Sequence, residues 1–257
     1  MEQALEIQGL TKRFGDKVAV DGIGLAVPSG SFYGLVGQNG AGKTTTLAMA
    51  VGLLRPDAGT ARIFGADVWA EPAKAKALVG VLPDGLAMPE RLTGREVLQY
   101  LGLLRGLPRN VVDARADELL AVLELDDAGQ TLVIEYSTGM RKKIGLATAL
   151  LHGPRLLVLD EPFEAVDPVS AAAIKTMLRG FVAAGGSVVL SSHVMALVEQ
   201  LCDHVAVVDR GRVVAAGALD EVRGARSLEE TFVGLVGGER NGGKKANGWE
   251  ELSWLSR

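Results

Sequence analysis

The chain has 257 residues, a length that fits one large α/β unit as well as two modest domains. Its formal net charge of −4 argues against a dedicated nucleic-acid binder, and its single cysteine, Cys202, excludes an internal disulfide and suits a reducing compartment. A mean hydropathy of +0.22 invites a membrane reading. However, the two uncharged stretches long enough to test, 22–42 and 180–198, are interrupted by Pro28, His193 and glycines short of the roughly 20 apolar residues a span needs, and the acidic start lacks a secretory pattern.

In chain order, apolar runs at 5–10, 24–27 and 31–36 predict closely spaced strands, partly antiparallel, followed by a helix over 43–54 and strands at 61–64 and 79–82. From 90 to 136 helical periodicity takes over. Thr93 and Glu96 have the spacing of a capping box, and Leu119, Leu120 and Leu123 fall on one helical face. Alternation then resumes with a strand at 156–159, a helix over 168–183, a strand at 187–190, a helix over 193–201, and strands at 205–208 and 212–216 around an Asp209-Arg210-Gly211 turn. The Gly-, Asn- and Lys-rich stretch 237–248 reads as a flexible linker, and 249–257 carries two of the three tryptophans.

Two motifs carry chemistry. Gly37-Gln38-Asn39-Gly40-Ala41-Gly42-Lys43-Thr44 matches G-x-x-x-x-G-K-[ST] between an apolar strand and a helix. Glycines turn backbone amides onto phosphate oxygens, the helix N-terminus adds partial positive charge, Lys43 neutralises phosphate, and the Thr44 hydroxyl suits Mg²⁺. Thr45 follows in the first helical turn. The pattern implies a bound nucleoside triphosphate. Leu156-Leu157-Val158-Leu159-Asp160-Glu161-Pro162 ends an apolar strand in two carboxylates. Asp160 is placed to hold Mg²⁺ and Glu161 to polarise an attacking water.

With these motifs in place, Tyr136-Ser137-Thr138-Gly139-Met140 resembles the Leu-Ser-Gly-Gly-Gln signature of ATP-binding cassette (ABC) transporter nucleotide-binding subunits. Ser137 suits an N-cap, and Gly139 leaves the helix end open to an anion. The resemblance covers roughly 5–236. It implies an α/β P-loop NTPase core with a mixed parallel and antiparallel sheet, a helical subdomain inserted at about 90–153, and a separate linker and tail over 237–257. It further implies that Ser137 and Gly139 face nucleotide held by a second cassette, identical or paired. Phe14 would stack on adenine, His193 would contact the γ-phosphate, and Glu164-Ala165-Val166-Asp167 would form the loop after the carboxylates. Asp167 and Pro168 also make a good helix start.

Asp84 stands where many members carry glutamine, still within reach of Mg²⁺ through water. That substitution, together with Met140 and the basic run after it, most resembles the ABC-2 export subgroup. ATP and Mg²⁺, a transmembrane permease and a peripheral place on the cytoplasmic face of a bacterial membrane follow from the likeness, with no nucleic acid partner. The alternatives are a cassette working off the membrane in repair, ribosome function or cofactor assembly, and a weakly hydrolysing regulatory cassette. Arg141-Lys142-Lys143 reads as a solvated helix face, and the tail as a frayed end or a docking segment.

Overall fold

Two long strands, β1 (Gln3–Phe14) and β2 (Lys17–Pro28), pair antiparallel across a turn at Gly15-Asp16. With β4 (Ala58–Ile63) and the short β5 (Ala66–Asp67) they form an antiparallel sheet ordered β2-β1-β4-β5. The second sheet contains β3 (Phe32–Val36), β6 (Val79–Leu82), β7 (Leu156–Leu159), β8 (Ser187–Ser192), β9 (His204–Asp209) and β10 (Arg212–Ala218). Its order is β10-β9-β3-β8-β7-β6, parallel throughout except at β10. This computed structural model describes residues 2–237. The expected tail 249–257 lies outside them, as does the expected linker apart from Gly237, which ends a helix.

Strands β3, β6 and β7 of the second sheet are apolar without alternation because both faces are covered. Phe32, Val36, Leu157, Leu159, Val188 and Leu190 face one core, filled from helices. Tyr33, Leu35, Leu156, Val158 and Val189 face the other, shared with β1, β2 and α1 (Lys43–Ala50). The remaining helices are α2 (Pro72–Leu78), α3 (Gly94–Leu104), α4 (Arg109–Val122), α5 (Thr138–Leu150), α6 (Pro168–Ala183), α7 (Met195–Leu201), α8 (Leu219–Arg223) and α9 (Leu228–Gly237). No helix among the described residues is long and apolar enough to cross a membrane.

Helices α3 to α5 lie between β6 and β7 in the chain. The Thr93 hydroxyl accepts from the Glu96 amide at 3.2 Å while the Glu96 carboxylate accepts from the Thr93 amide at 2.8 Å, a reciprocal cap worth about 1 kcal/mol. Leu120 and Leu123 are buried as expected, but Leu119 is only half-buried. The helix expected over 43–54 stops at Ala50, because Gly52 turns left-handed and the Leu53 and Leu54 amides fold back onto the Ala48 carbonyl. The helix expected from 193 starts at Met195, because the Val194 amide donates to the Ser192 hydroxyl and holds His193 outside it. Arg210 and Gly211 both have positive φ, giving β9 and β10 the tight two-residue turn a hairpin prefers.

His152 follows α5 and donates through Nε2 to the Val79 carbonyl at 3.0 Å, while its Nδ1 is buried without a hydrogen-bond partner. Burial, reinforced by the nearby Arg105 and Arg115 guanidinium groups, pulls its pKa down to about 4. Below the ordinary histidine value the unfolded chain takes up a proton that the folded protein refuses until about pH 4, so this residue lowers stability on acidification across that window. His152→Gln is expected to flatten the fall in Tm between pH 6.5 and 4, as melting at a series of pH values would show.

Candidate functional site

Because β3, β8, β7 and β6 run parallel and adjacent, their carboxyl ends open on one edge of the sheet. Four segments far apart in sequence meet there: the glycine-rich loop after β3, Ser191-Ser192-His193 at the end of β8, Asp160-Glu161 after β7, and Pro83-Asp84 after β6.

The loop needs its glycines for close approach. A Cβ on Gly37 would come within 2.4 Å of the Val208 carbonyl oxygen, and one on Gly42 within 2.6 Å of the Ala19 oxygen. Gly42 also has φ +106° and caps α1 without any side chain, which leaves the first helical amides open to an anion. Ala41 is buried beneath the loop, its amide donating to the Gln38 carbonyl.

Lys43 is only 6% exposed. Its ammonium donates to the Gly37 carbonyl at 2.8 Å and lies 3.4 Å from Glu161 Oε1, while Glu161 Oε2 stands 3.1 Å from His193 Nδ1. Glu161 Oε1 is buried and has no aligned hydrogen-bond partner. Asp160 is buried and accepts from the Ser191 hydroxyl, which in turn accepts the Glu161 amide at 2.9 Å.

Asn39, Gly40, Gly42, Lys43, Thr44 and Thr45 line a 440 Å³ cleft closed by Phe14, Asp84 and Glu161. Phe14 is 52% exposed at the rim, with the Lys12 ammonium 5.9 Å from its ring centre, so it is no core residue. Gly37 and Asn39 border an adjoining cavity beside His193. A smaller apolar recess brings together Thr44, Asp84 and Asp160.

Ser137 and Gly139 do not reach this cleft. The Ser137 hydroxyl caps α5 by accepting from the Met140 amide at 3.2 Å. Gly139 packs against the start of α6, where a Cβ would meet Asp167 Oδ2 at 2.8 Å and Ser170 Oγ at 2.9 Å. Its lack of a side chain therefore also serves packing within the chain. Asp167 caps α6 as expected, and the backbone amide of Ser170, chiefly, holds its carboxyl below the usual range.

The basic run is not a solvated face. Arg141 donates to the Ile134 and Tyr136 carbonyls, Lys143 is buried and reaches Glu124 at 3.3 Å, and Lys142 donates to the Glu161 carbonyl at 3.0 Å. Helix α5 packs against β6, α3, α4 and α6, so three consecutive positions spread over about 200° of its circumference cannot all face water. Their stems are covered while the charged heads find partners. Reading the sequence missed Ser191 and Lys142 as neighbours of the carboxylates. A hydroxyl closing an apolar strand was the available sign for Ser191; Lys142 had none.

The ABC transporter family model matches residues 20–164. The chain is 40% identical over 222 residues to daunorubicin resistance ATP-binding protein DrrA3 of Streptomyces coeruleorubidus, covering 86% of this chain and 70% of that protein. It is 38% identical over 218 residues to the Nod factor export ATP-binding protein I of Ralstonia nicotianae, covering 85% and 68%. A solved ATP-binding subunit of an ABC transporter superposes with a TM-score of 0.84 at 29% identity, over 91% of this chain and 99% of that one. With the glycine-rich loop, the paired carboxylates and the Ser137-capped helix set on that fold, the chain belongs to the ABC transporter family as an ATP-binding, ATP-hydrolysing subunit.

Proposed function

We propose that this subunit powers an ABC-2 type exporter, with Glu161 polarising the water that attacks the γ-phosphate. The observation that carries the reading is the contact chain Lys43–Glu161–His193 at the floor of the cleft. It sets a phosphate-binding cation, a carboxylate whose Oε1 has no aligned hydrogen bond and an imidazole side by side. Lys43 and the loop amides bind the β- and γ-phosphates, Phe14 takes the adenine, and His193 steadies Glu161 and the γ-phosphate. Thr44 and Asp160, with Asp84 beside them, are oxygen donors that fit Mg²⁺, an ion that keeps waters and phosphate oxygens in its shell. Bound there, Mg²⁺ would supply charge neutralisation on the phosphates.

The separation of Ser137 and Gly139 from the cleft supports a second cassette, identical or paired, whose nucleotide they cover. The printed names of the relatives support export. A transmembrane permease holds the subunit peripherally at the cytoplasmic face, and the helical insertion over 90–153 moves as a unit to couple ATP closure to it.

Phe14→Ala is expected to raise the ATP Kd about fivefold with kcat nearly unchanged, the loss of one stacking contact of about 1 kcal/mol; titration with a fluorescent ATP analogue measures it. The export reading is tested by purifying the tagged protein from native membranes in mild detergent. A polytopic membrane protein at near-equal amount is the expected companion. Ribosomal or DNA-repair proteins in its place would overturn the transport assignment and leave the ATPase standing.

A further inference from the structure

Glu161 has φ +45°, a left-handed backbone that a side-chain-bearing residue adopts only when its surroundings hold it there. Both sides of the residue are held by side chains from other elements. On the amide side the Ser191 hydroxyl of β8 accepts the Glu161 N–H at 2.9 Å. On the carbonyl side the Lys142 ammonium of α5 donates to the Glu161 oxygen at 3.0 Å. Lys142 is 14% exposed, and its second neighbour is Asp84 Oδ1 at 3.7 Å, on the segment that leads from β6 towards the helical insertion. A lysine two turns or less from the Ser137 cap thus touches the backbone of the carboxylate across the subunit.

We propose that Lys142 is a positioning residue for Glu161: it sets the strained peptide that aims the carboxylate, and so ties the orientation of the signature helix to the water-activating group of the same subunit. The ammonium suits this post because it carries several donors on a flexible stem and can serve the Glu161 carbonyl and the Asp84 carboxylate together. A displacement of α5 larger than the stem can follow would break the 3.0 Å hydrogen bond, releasing the peptide and the aim of the side chain. The proposal rests on the assignment of Glu161 to water activation.

The test is a kinetic cycle on the full chain. Lys142→Met is expected to lower kcat about tenfold with the ATP Kd within twofold of the parent, because the side chain does not line the phosphate-loop cleft. Lys142→Arg, which keeps a charged donor, is expected to restore at least half of the loss. In a Glu161→Gln background Lys142→Met is expected to cause no further decline, since the group it positions has already gone. Should the Met variant fail to fold, Lys142→Gln carries the same cycle with a smaller loss. Parent-like turnover in Lys142→Met, or an equal further loss in the Glu161→Gln background, overturns the positioning role. Parent-like turnover of Glu161→Gln by itself overturns the underlying assignment instead.

Discussion

Glu161→Gln is expected to reduce ATP turnover at least about 100-fold, within the range that a general base contributes, while ATP still binds. The amide preserves the size and planarity of the side chain but cannot take a proton or carry the charge that polarises a water. Lys43, 3.4 Å from Oε1 in this structure, loses its competing anion and is freer to meet phosphate, so affinity should hold or tighten. Because binding persists while hydrolysis stalls, ATP-loaded protein should accumulate as a dimer on size-exclusion chromatography, whereas the parent returns to its ADP-bound form. Single-turnover kinetics and the elution volume read the two effects separately. Turnover at the parent rate would place water activation on another group.

Lys43→Ala is expected to weaken ATP binding about 10- to 100-fold and to remove measurable turnover. A hydrogen bond to a charged group contributes about 1.5–3 kcal/mol, and each 1.4 kcal/mol is tenfold in affinity. The loop itself should survive, since its path is set by Gly37 against the Val208 carbonyl and Gly42 against the Ala19 carbonyl. The stability cost falls on Glu161, a largely covered carboxylate that loses the lysine ammonium beside it and keeps the His193 imidazole as neighbour. An uncompensated charge of this kind destabilises, and about 1 kcal/mol would lower Tm by roughly 2–4 °C in a chain of this size. Adding Glu161→Gln to Lys43→Ala should recover that Tm without recovering binding. Calorimetric titration and thermal melts of the single and double variants measure both quantities. Nucleotide affinity unchanged in Lys43→Ala would remove the lysine from phosphate recognition.

Much of the site was readable because short segments carry it whole. The loop 37–44 contains its own turn, its own cation and the start of its own helix, so strand, motif and helix N-terminus identify it without any distant contact. The same holds for the Thr93–Glu96 box and for Asp167 before Pro168, where donor and acceptor lie within three residues. The buried strands at 79–82 and 156–159 were found at their observed limits, because a strand covered on both faces must be apolar at every position.

What the chain's own residues determined was therefore local structure: a glycine-rich loop with its lysine, two carboxylates at a strand end, a Ser137-capped helix, and through them the family. Tertiary structure alone decided the neighbours. Strand β8 enters between β3 and β7 although it follows both in the chain, and that insertion brings His193 to Glu161 and Ser191 to Asp160. The packing of α5 against β6, α3, α4 and α6 gave the three cations of one run different neighbours and delivered Lys142 to the Glu161 carbonyl. Strand order and helix orientation depend on how whole faces are buried against one another, a property summed over many side chains, and no window of neighbouring residues contains that sum.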